Sequence, residues 1–281
     1  MDVGEVRVAD DGDFERLRNL TDEHDGWKVE YEKRDTKVWT KGTEQTQFKM
    51  IKLHTVYEDV SPSLLFDVLM DPLYRKKWDV HMLDSYDIGC LNPNNDVGYY
   101  AVRSPPPLRN RDFVLQRSWL ETGKEILIIN HSVFHQASGP PPLLGGSVPP
   151  KKGFIRATSY LTGIVVRPSG RSGCSLSYVT QCDPKGQSER ALPAWFVNKL
   201  TKIFAPKMVK KLHKACLGYT TWKASHQPGL KPWLHPDQVI LPKLDVSSCV
   251  SVGQLDAADE NLDESLLQEQ EGSDFCELDN A

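Results

Sequence analysis

Within YRKKWD (74–79), Arg75 and Asp79 stand four residues apart, a spacing that on a helix brings a guanidinium and a carboxylate onto one face within reach of each other. As an exposed pair they would add well under about 1 kcal/mol. If buried, the planar fork of Arg75 could instead offer its N–H groups to a phosphate, with Asp79 holding it in place. His81 follows two residues later and completes the one close grouping of cation, acid and base in the chain. His131 and His135 could share a strand face, but two imidazoles without a third ligand read as packed or exposed histidines, and no metal is assigned. There is no Walker A run, dinucleotide fingerprint, GxSxG or HExxH. No enzymatic constellation is present, and no cofactor is expected.

The elements that must position these groups follow from periodicity. DFERLRNLTDEH (13–24) spaces Phe14, Leu17 and Leu20 as a short helix, and three alternating runs at 27–34, 36–42 and 47–58 read as an antiparallel meander. Ser61-Pro62 supplies an N-cap and a proline at the first helical position, so a helix covers 62–70, and Asp71-Pro72 breaks it before a second short helix carrying Arg75. Six more strand-like runs lie at 82–89, 96–103, 112–120, 124–134, 153–166 and 173–182. The Pro/Gly-rich stretch 136–152 reads as a long exposed loop, and 104–112 as either a gate beside a site or a rigid connector.

The segment 193–224 predicts a long amphipathic helix. Phe196, Leu200, Ile203 and Phe204 form one apolar stripe, whereas Met208, Val209, Leu212, Ala215, Cys216 and Tyr219 form a second, and Pro206 at the changeover predicts a bend. Lys199, Lys202, Lys207, Lys210, Lys211 and Lys214 lie opposite, as a solvated lysine face or a membrane-contacting one.

Charge is unevenly spread. The 281 residues carry a net −4, but the stretch from Leu244 onward holds 11 Asp or Glu and no Lys or Arg, so the preceding body, with 34 basic and 27 acidic residues, is +7. A basic body suits an anionic partner. The lysines lack interleaved exposed aromatics, which argues against nucleic acid. Six cysteines without CxxC spacing read as reduced thiols of a cytosolic protein, and no apolar run is long enough for a membrane span.

The runs SPSLLFDVLMDPLYRKKWD, DVGYYAVRSPPPLRNRDFV, IRATSYLTG, CDPKG and LPAWFVNKLTKIFAPKMVKKLHKACLGY, in that order, resemble the START (StAR-related lipid-transfer) family and its phosphatidylcholine-transfer branch. The resemblance implies an α+β helix-grip fold, a curved nine-stranded antiparallel sheet around a long C-terminal helix. It implies a lipid-binding domain over 13–234, with 1–12 as an extension, and composition, acidic and sparse in aromatics, reads 235–281 as a disordered tail. It also implies that Arg75, buried and paired with Asp79, binds a lipid phosphate, and that Tyr100, Phe113 and Tyr160 surround the headgroup cation. Where the choline-selective member has Trp, this chain has Tyr100, so both choline and ethanolamine headgroups are expected.

The cavity and its lid are assigned to His81, Val102, Thr162, Phe196, Leu200, Ile203 and Phe204. The resulting expectation is a monomeric, cytoplasmic, peripheral-membrane carrier that takes one phospholipid as cargo and meets anionic membrane through the six lysines. A lipid-regulated interaction module without transfer, or an enzyme using the same cavity, are the alternatives. The acidic tail is expected either to compete with membrane for the lysine face, with Ser265 and Ser273 as candidate phosphosites that would strengthen the competition, or to act as a solubilising segment.

Overall fold

A computed structural model of the chain describes residues 1–104, 108–133, 151–185 and 200–246. Capping starts its helices where the sequence places the caps. Helix α1 (Asp11–Asp22) begins at Asp10, whose carboxylate and that of Asp13 each accept the other residue's backbone N–H. Helix α2 (Pro62–Met70) begins at Ser61, and α3 (Pro72–Trp78) at Asp71, each with proline in the first turn. The second stripe of the C-terminal segment forms α4 (Ala205–Ala224). A bend was expected at Pro206. Instead a π-helical turn, Leu200–Phe204, precedes α4, and Pro206 occupies its first turn, where a missing N–H leaves no bond unmade.

The strands are β1 (Lys28–Lys33), β2 (Thr36–Lys41), β3 (Met50–Tyr57), β4 (Met82–Asn92), β5 (Asn95–Val102), β6 (Arg111–Glu121), β7 (Ile126–Ser132), β8 (Ile155–Arg156), β9 (Thr158–Ser169) and β10 (Gly173–Asp183). Nine of them follow one antiparallel path in the order β1-β2-β3-β10-β9-β7-β6-β5-β4. The two-residue β8 lies off this path, parallel to the start of β6, so the single strand expected over 153–166 is in fact two.

The two faces of this sheet are used differently. One face packs Leu127, Ile129, Val165 and Val179 against Phe14 and Leu17 of α1. The contact is close because of Gly163, where a Cβ would lie 2.2 Å from Leu17 Cδ1. The other face, with Leu53, Trp119, Ile128, Val166 and Leu176, receives α2, Tyr74 of α3, and Val209, Leu212, Ala215, Cys216 and Tyr219 of α4. Met208 was expected in that stripe and is 38% exposed.

Helix α4 is held at its C-terminal half by buried polar contacts. Asp71 caps α3 through Oδ1, accepting from the backbone N–H of Leu73 and Tyr74, and its Oδ2 accepts from Tyr219 Oη at 3.1 Å and Lys223 Nζ at 2.8 Å. Both members of the Asp71–Lys223 pair are buried. Beyond the helix, Lys231 and Trp233 donate to the two oxygens of Asp67 in α2. The chain then returns to the sheet edge. Cys90 N–H donates to Pro242, Leu244 N–H donates to Cys90, and Leu244 is buried over Gly89. The ordered body therefore extends past the boundary expected at 234, because residues 241–244 cover part of the open edge of β4. Its start is also earlier than residue 13, since Val6 is buried and Arg7 pairs with Asp13.

Asp71→Ala is expected to destabilise the protein by about 3–5 kcal/mol, because it removes a helix cap and leaves the Lys223 ammonium buried without its partner. Lys223→Met should cost less, since Asp71 keeps its two backbone donors and Tyr219. Denaturant unfolding of both variants measures this, and equal losses would show that the cap and the Tyr219 bond add nothing beyond the ion pair.

Candidate functional site

Helix α3 places Arg75 over the sheet. Its Nε donates to Asp79 Oδ2 at 3.3 Å, and among the described residues its terminal nitrogens meet no acceptor. Burial of this arginine was expected, but its side chain is 38% exposed, on the last turn of a seven-residue helix. The guanidinium carbon lies 6.0 Å from the Tyr100 ring centroid. The carboxylate of Asp79 also accepts His81 N–H at 3.2 Å, and the His81 ring meets Phe204 edge-on at 6.0 Å. His81 thus links the end of α3 to the π-helical turn.

Of the cage residues, Tyr100 and Phe113 are direct cross-strand partners on β5 and β6, on one face and half-buried. Tyr160 is half-buried on β9 at a bulge, where the register against β10 shifts between Gln181 and Cys182, so alternation along the strand does not determine its direction. Val102 shares the Tyr100 face of β5, and Thr162 bonds Thr180 across β9 and β10 at 2.9 Å. Ile203 is 41% exposed on the π-helical turn that precedes α4. Lys202, Lys210 and Lys214 are exposed, whereas Lys207 and Lys211 are half-buried. His135, Phe196, Lys199, Ser265, Ser273 and the Leu200 side chain lie outside the described residues.

Strand register assembles a feature that the sequence reading missed. Asp96 pairs with Arg117, Arg117 with Asn130, Asn130 with Thr162, and Thr162 with Thr180. These five positions make one polar row across β5, β6, β7, β9 and β10. The next row along, Trp119, Ile128, Ile164, Tyr178 and Leu53, is apolar apart from one phenol. Arg117 grips Asp96 through Nε at 3.1 Å and through Nη2. Burial opposes the charge on Arg117, but Asp96, with Tyr100 and Asp87 nearby, outweighs it and holds the guanidinium above its ordinary pKa.

Burial likewise raises the phenol of Tyr100, and it pushes Tyr178 up to about 12 against the opposing charge of Arg75. Both rings are nevertheless only half-buried by area. Arg75, Tyr100 and Tyr178 thus stand beside the polar row on the inner face of the sheet. A separate cleft of about 640 Å³ lies between the β1–β2 turn and the first turns of α4, lined by residues including Tyr31, Thr36, Tyr57, Val209 and His213. The only signal for the polar row in the sequence is the inward parity of Asp96, Arg117, Asn130, Thr162 and Thr180, which becomes legible once the pairing is known.

The chain matches known proteins over most of its length. Residues 7–223 match the family described as START domain. The chain is 42% identical over 265 residues to START domain-containing protein 10 of Mus musculus, covering 94% of this chain and 86% of the relative. It is 31% identical over 193 residues to phosphatidylcholine transfer protein of Bos taurus, covering 69% of this chain and 85% of the relative. The crystal structure of human STARD10 superposes with a TM-score of 0.77 at 41% identity, over 87% of this chain and 94% of that one.

The geometry separates two arginines that look alike in sequence. Arg75→Ala removes a partly exposed pair worth under about 1 kcal/mol and should leave the thermal midpoint nearly unchanged. Asp96→Ala strands Arg117 in the wall and should cost about 3–5 kcal/mol. A calorimetric scan of both variants decides, and equal shifts would contradict the assignment of Arg75 to binding rather than stability.

Proposed function

The chain belongs to the START domain family, and from that premise we propose that it is a non-vesicular phospholipid carrier, not an enzyme, holding one phosphatidylcholine or phosphatidylethanolamine between the sheet and α4. One observation carries this reading: Arg75, whose terminal nitrogens meet no acceptor among the described residues, stands against the Tyr100–Phe113 pair on the inner face of the sheet. A guanidinium fork with free N–H groups suits two phosphate oxygens, and an aromatic pair beside it suits the cation that follows the phosphate in a zwitterionic headgroup. Acyl chains would lie along the apolar row. Carriage requires no covalent step and no cofactor.

Exchange requires the space between the sheet and α4 to open at a membrane. Support for the site of opening comes from α4, which is tied by Asp71 at its C-terminal half, while the described start of the segment carries exposed Lys202, Ile203, Met208, Lys210 and Lys214. Apolar side chains interspersed with lysines suit an anionic lipid surface, where each lysine adds about 1 kcal/mol. Cys90, Cys174, Cys182 and Cys216 are free thiols, in keeping with a monomer acting in the cytoplasm at membrane surfaces.

Arg75→Ala and Arg75→Lys are both expected to lose phospholipid on gel filtration while remaining folded, since a point charge does not replace a planar fork. Full retention by both would put the phosphate elsewhere. Transfer between donor and acceptor vesicles tests the carrier itself. A Lys202→Glu/Lys210→Glu double variant should transfer several-fold more slowly to anionic acceptors at low salt, with the deficit shrinking as salt is added. Lipid retention without any transfer by the unmodified chain would instead indicate a lipid-regulated interaction module.

A further inference from the structure

The wall around Tyr100 contains one carboxylate without a partner. On the edge strand β4, Tyr86 lies opposite Tyr99, and the two rings stack at 4.8 Å on the face away from α3 and α4. The next residue, Asp87, lies opposite Gly98 and by alternation shares the face of Asp96, Gly98 and Tyr100. A Cβ at Gly98 would stand 3.2 Å from Tyr100 Cε2 and 3.5 Å from its Oη, so the Tyr100 ring folds back over Gly98 towards the Asp96–Arg117 pair. Asp87 therefore flanks the ring that Arg75 approaches from α3.

The other acids on this wall are engaged. Asp96 is gripped by Arg117, and Asp79 accepts from Arg75 and from His81 N–H. Among the described residues the Asp87 carboxylate makes no hydrogen bond and no ion pair. Arg75 with Asp79 and Arg117 with Asp96 form hydrogen-bonded pairs, whereas Asp87, although Lys76 and Arg117 act on it through space, keeps its carboxylate unbonded beside the aromatic pair. Burial, reinforced by Asp96 and opposed by Arg117 and Lys76, raises its pKa. By area the residue is exposed, so its carboxylate is open to an incoming cation.

A phosphodiester on Arg75 would add a second negative charge to this wall, and a ligand carrying a cation a short distance from its phosphate restores the balance. The aromatic faces of Tyr100 and Phe113 accept any such cation. A carboxylate discriminates further, because a primary ammonium offers three N–H donors whereas a trimethylammonium offers none. We propose that Asp87 is the specificity-determining acceptor for a primary ammonium headgroup, so that this chain prefers an aminoethyl phospholipid to its trimethylated counterpart. The inference rests on the phospholipid reading above and adds the residue that sets headgroup choice.

The test uses the purified full-length chain and its Asp87→Asn and Asp87→Glu variants. Each is equilibrated with vesicles containing equal amounts of phosphatidylethanolamine, its monomethyl and dimethyl forms, and phosphatidylcholine, and the bound lipid is identified by mass spectrometry. The unmodified chain should show uptake falling with each added methyl group. In Asp87→Asn the ethanolamine-to-choline ratio should drop about tenfold, the size expected from losing a charge-assisted hydrogen bond. Asp87→Glu should keep the graded preference. An unchanged ratio in Asp87→Asn, or equal losses of all four lipids, overturns the proposal while leaving the carrier reading in place. Failure of the unmodified chain to take up any of the four overturns both.

Discussion

Four donors converge on Asp71, and the rest of the binding architecture depends on that carboxylate. Two backbone N–H groups start the helix that carries Arg75, while Tyr219 and Lys223 attach the same residue to the C-terminal half of α4. Burying an ion pair costs several kcal/mol per charge, so such a joint is stable only when the remaining lone pairs are also filled. Here they are, and one carboxylate sets both the angle of α3 over the sheet and the end of α4 that stays in place. Asp67, holding Lys231 and Trp233, repeats the arrangement one helix earlier and fastens the chain that follows α4.

A protein that is to hold cargo between sheet and helix must obtain stability elsewhere as well. The face of the sheet turned to α1 has an independent core of Phe14, Leu17, Leu127, Ile129, Val165 and Val179, separate from the core on the other face. On the inner face the packed end and the open end differ row by row. Trp119, Ile128 and Ile164 belong with the helices, and one step along the strands Asp96, Arg117, Asn130, Thr162 and Thr180 bring polar groups to the wall. Such a row is costly in a dry core, where each unpaired group would lose its hydration, and tolerable where the groups bond one another and meet a polar cargo.

The same contrast separates the two arginines. Arg117 is committed on both sides of its fork and acts as part of the wall, whereas Arg75 touches one carboxylate oxygen at 3.3 Å and keeps its terminal nitrogens for something else. Rigid elements carry both: Arg75 is on a capped helix, and Arg117 is mid-strand between two paired neighbours. In the carrier we propose, headgroup recognition would reside on parts of the fold that do not need to move, and the lysine-bearing start of α4, remote from the Asp71 joint, would be the part that responds to a membrane.

Local chemistry was legible in the residues. Alternation located the strands, Ser61-Pro62 and Asp71-Pro72 located the helix starts, and the four-residue spacing of Arg75 and Asp79 placed a guanidinium beside a carboxylate, because each signal depends only on neighbours within a turn or a pleat. The resemblance supplied Tyr100 and Phe113, which pairing then set side by side. Tertiary structure alone decided the rest. The polar row exists only once five strands are in register, the direction of Tyr160 depends on a bulge, and Asp87 has no side chain opposite it because β4 pairs it with Gly98. Asp71 and Lys223 are 152 residues apart, and Asp67 and Lys231 are 164 apart. Contacts of that range form only when the whole sheet has closed around the helix, so no short stretch of sequence contains them.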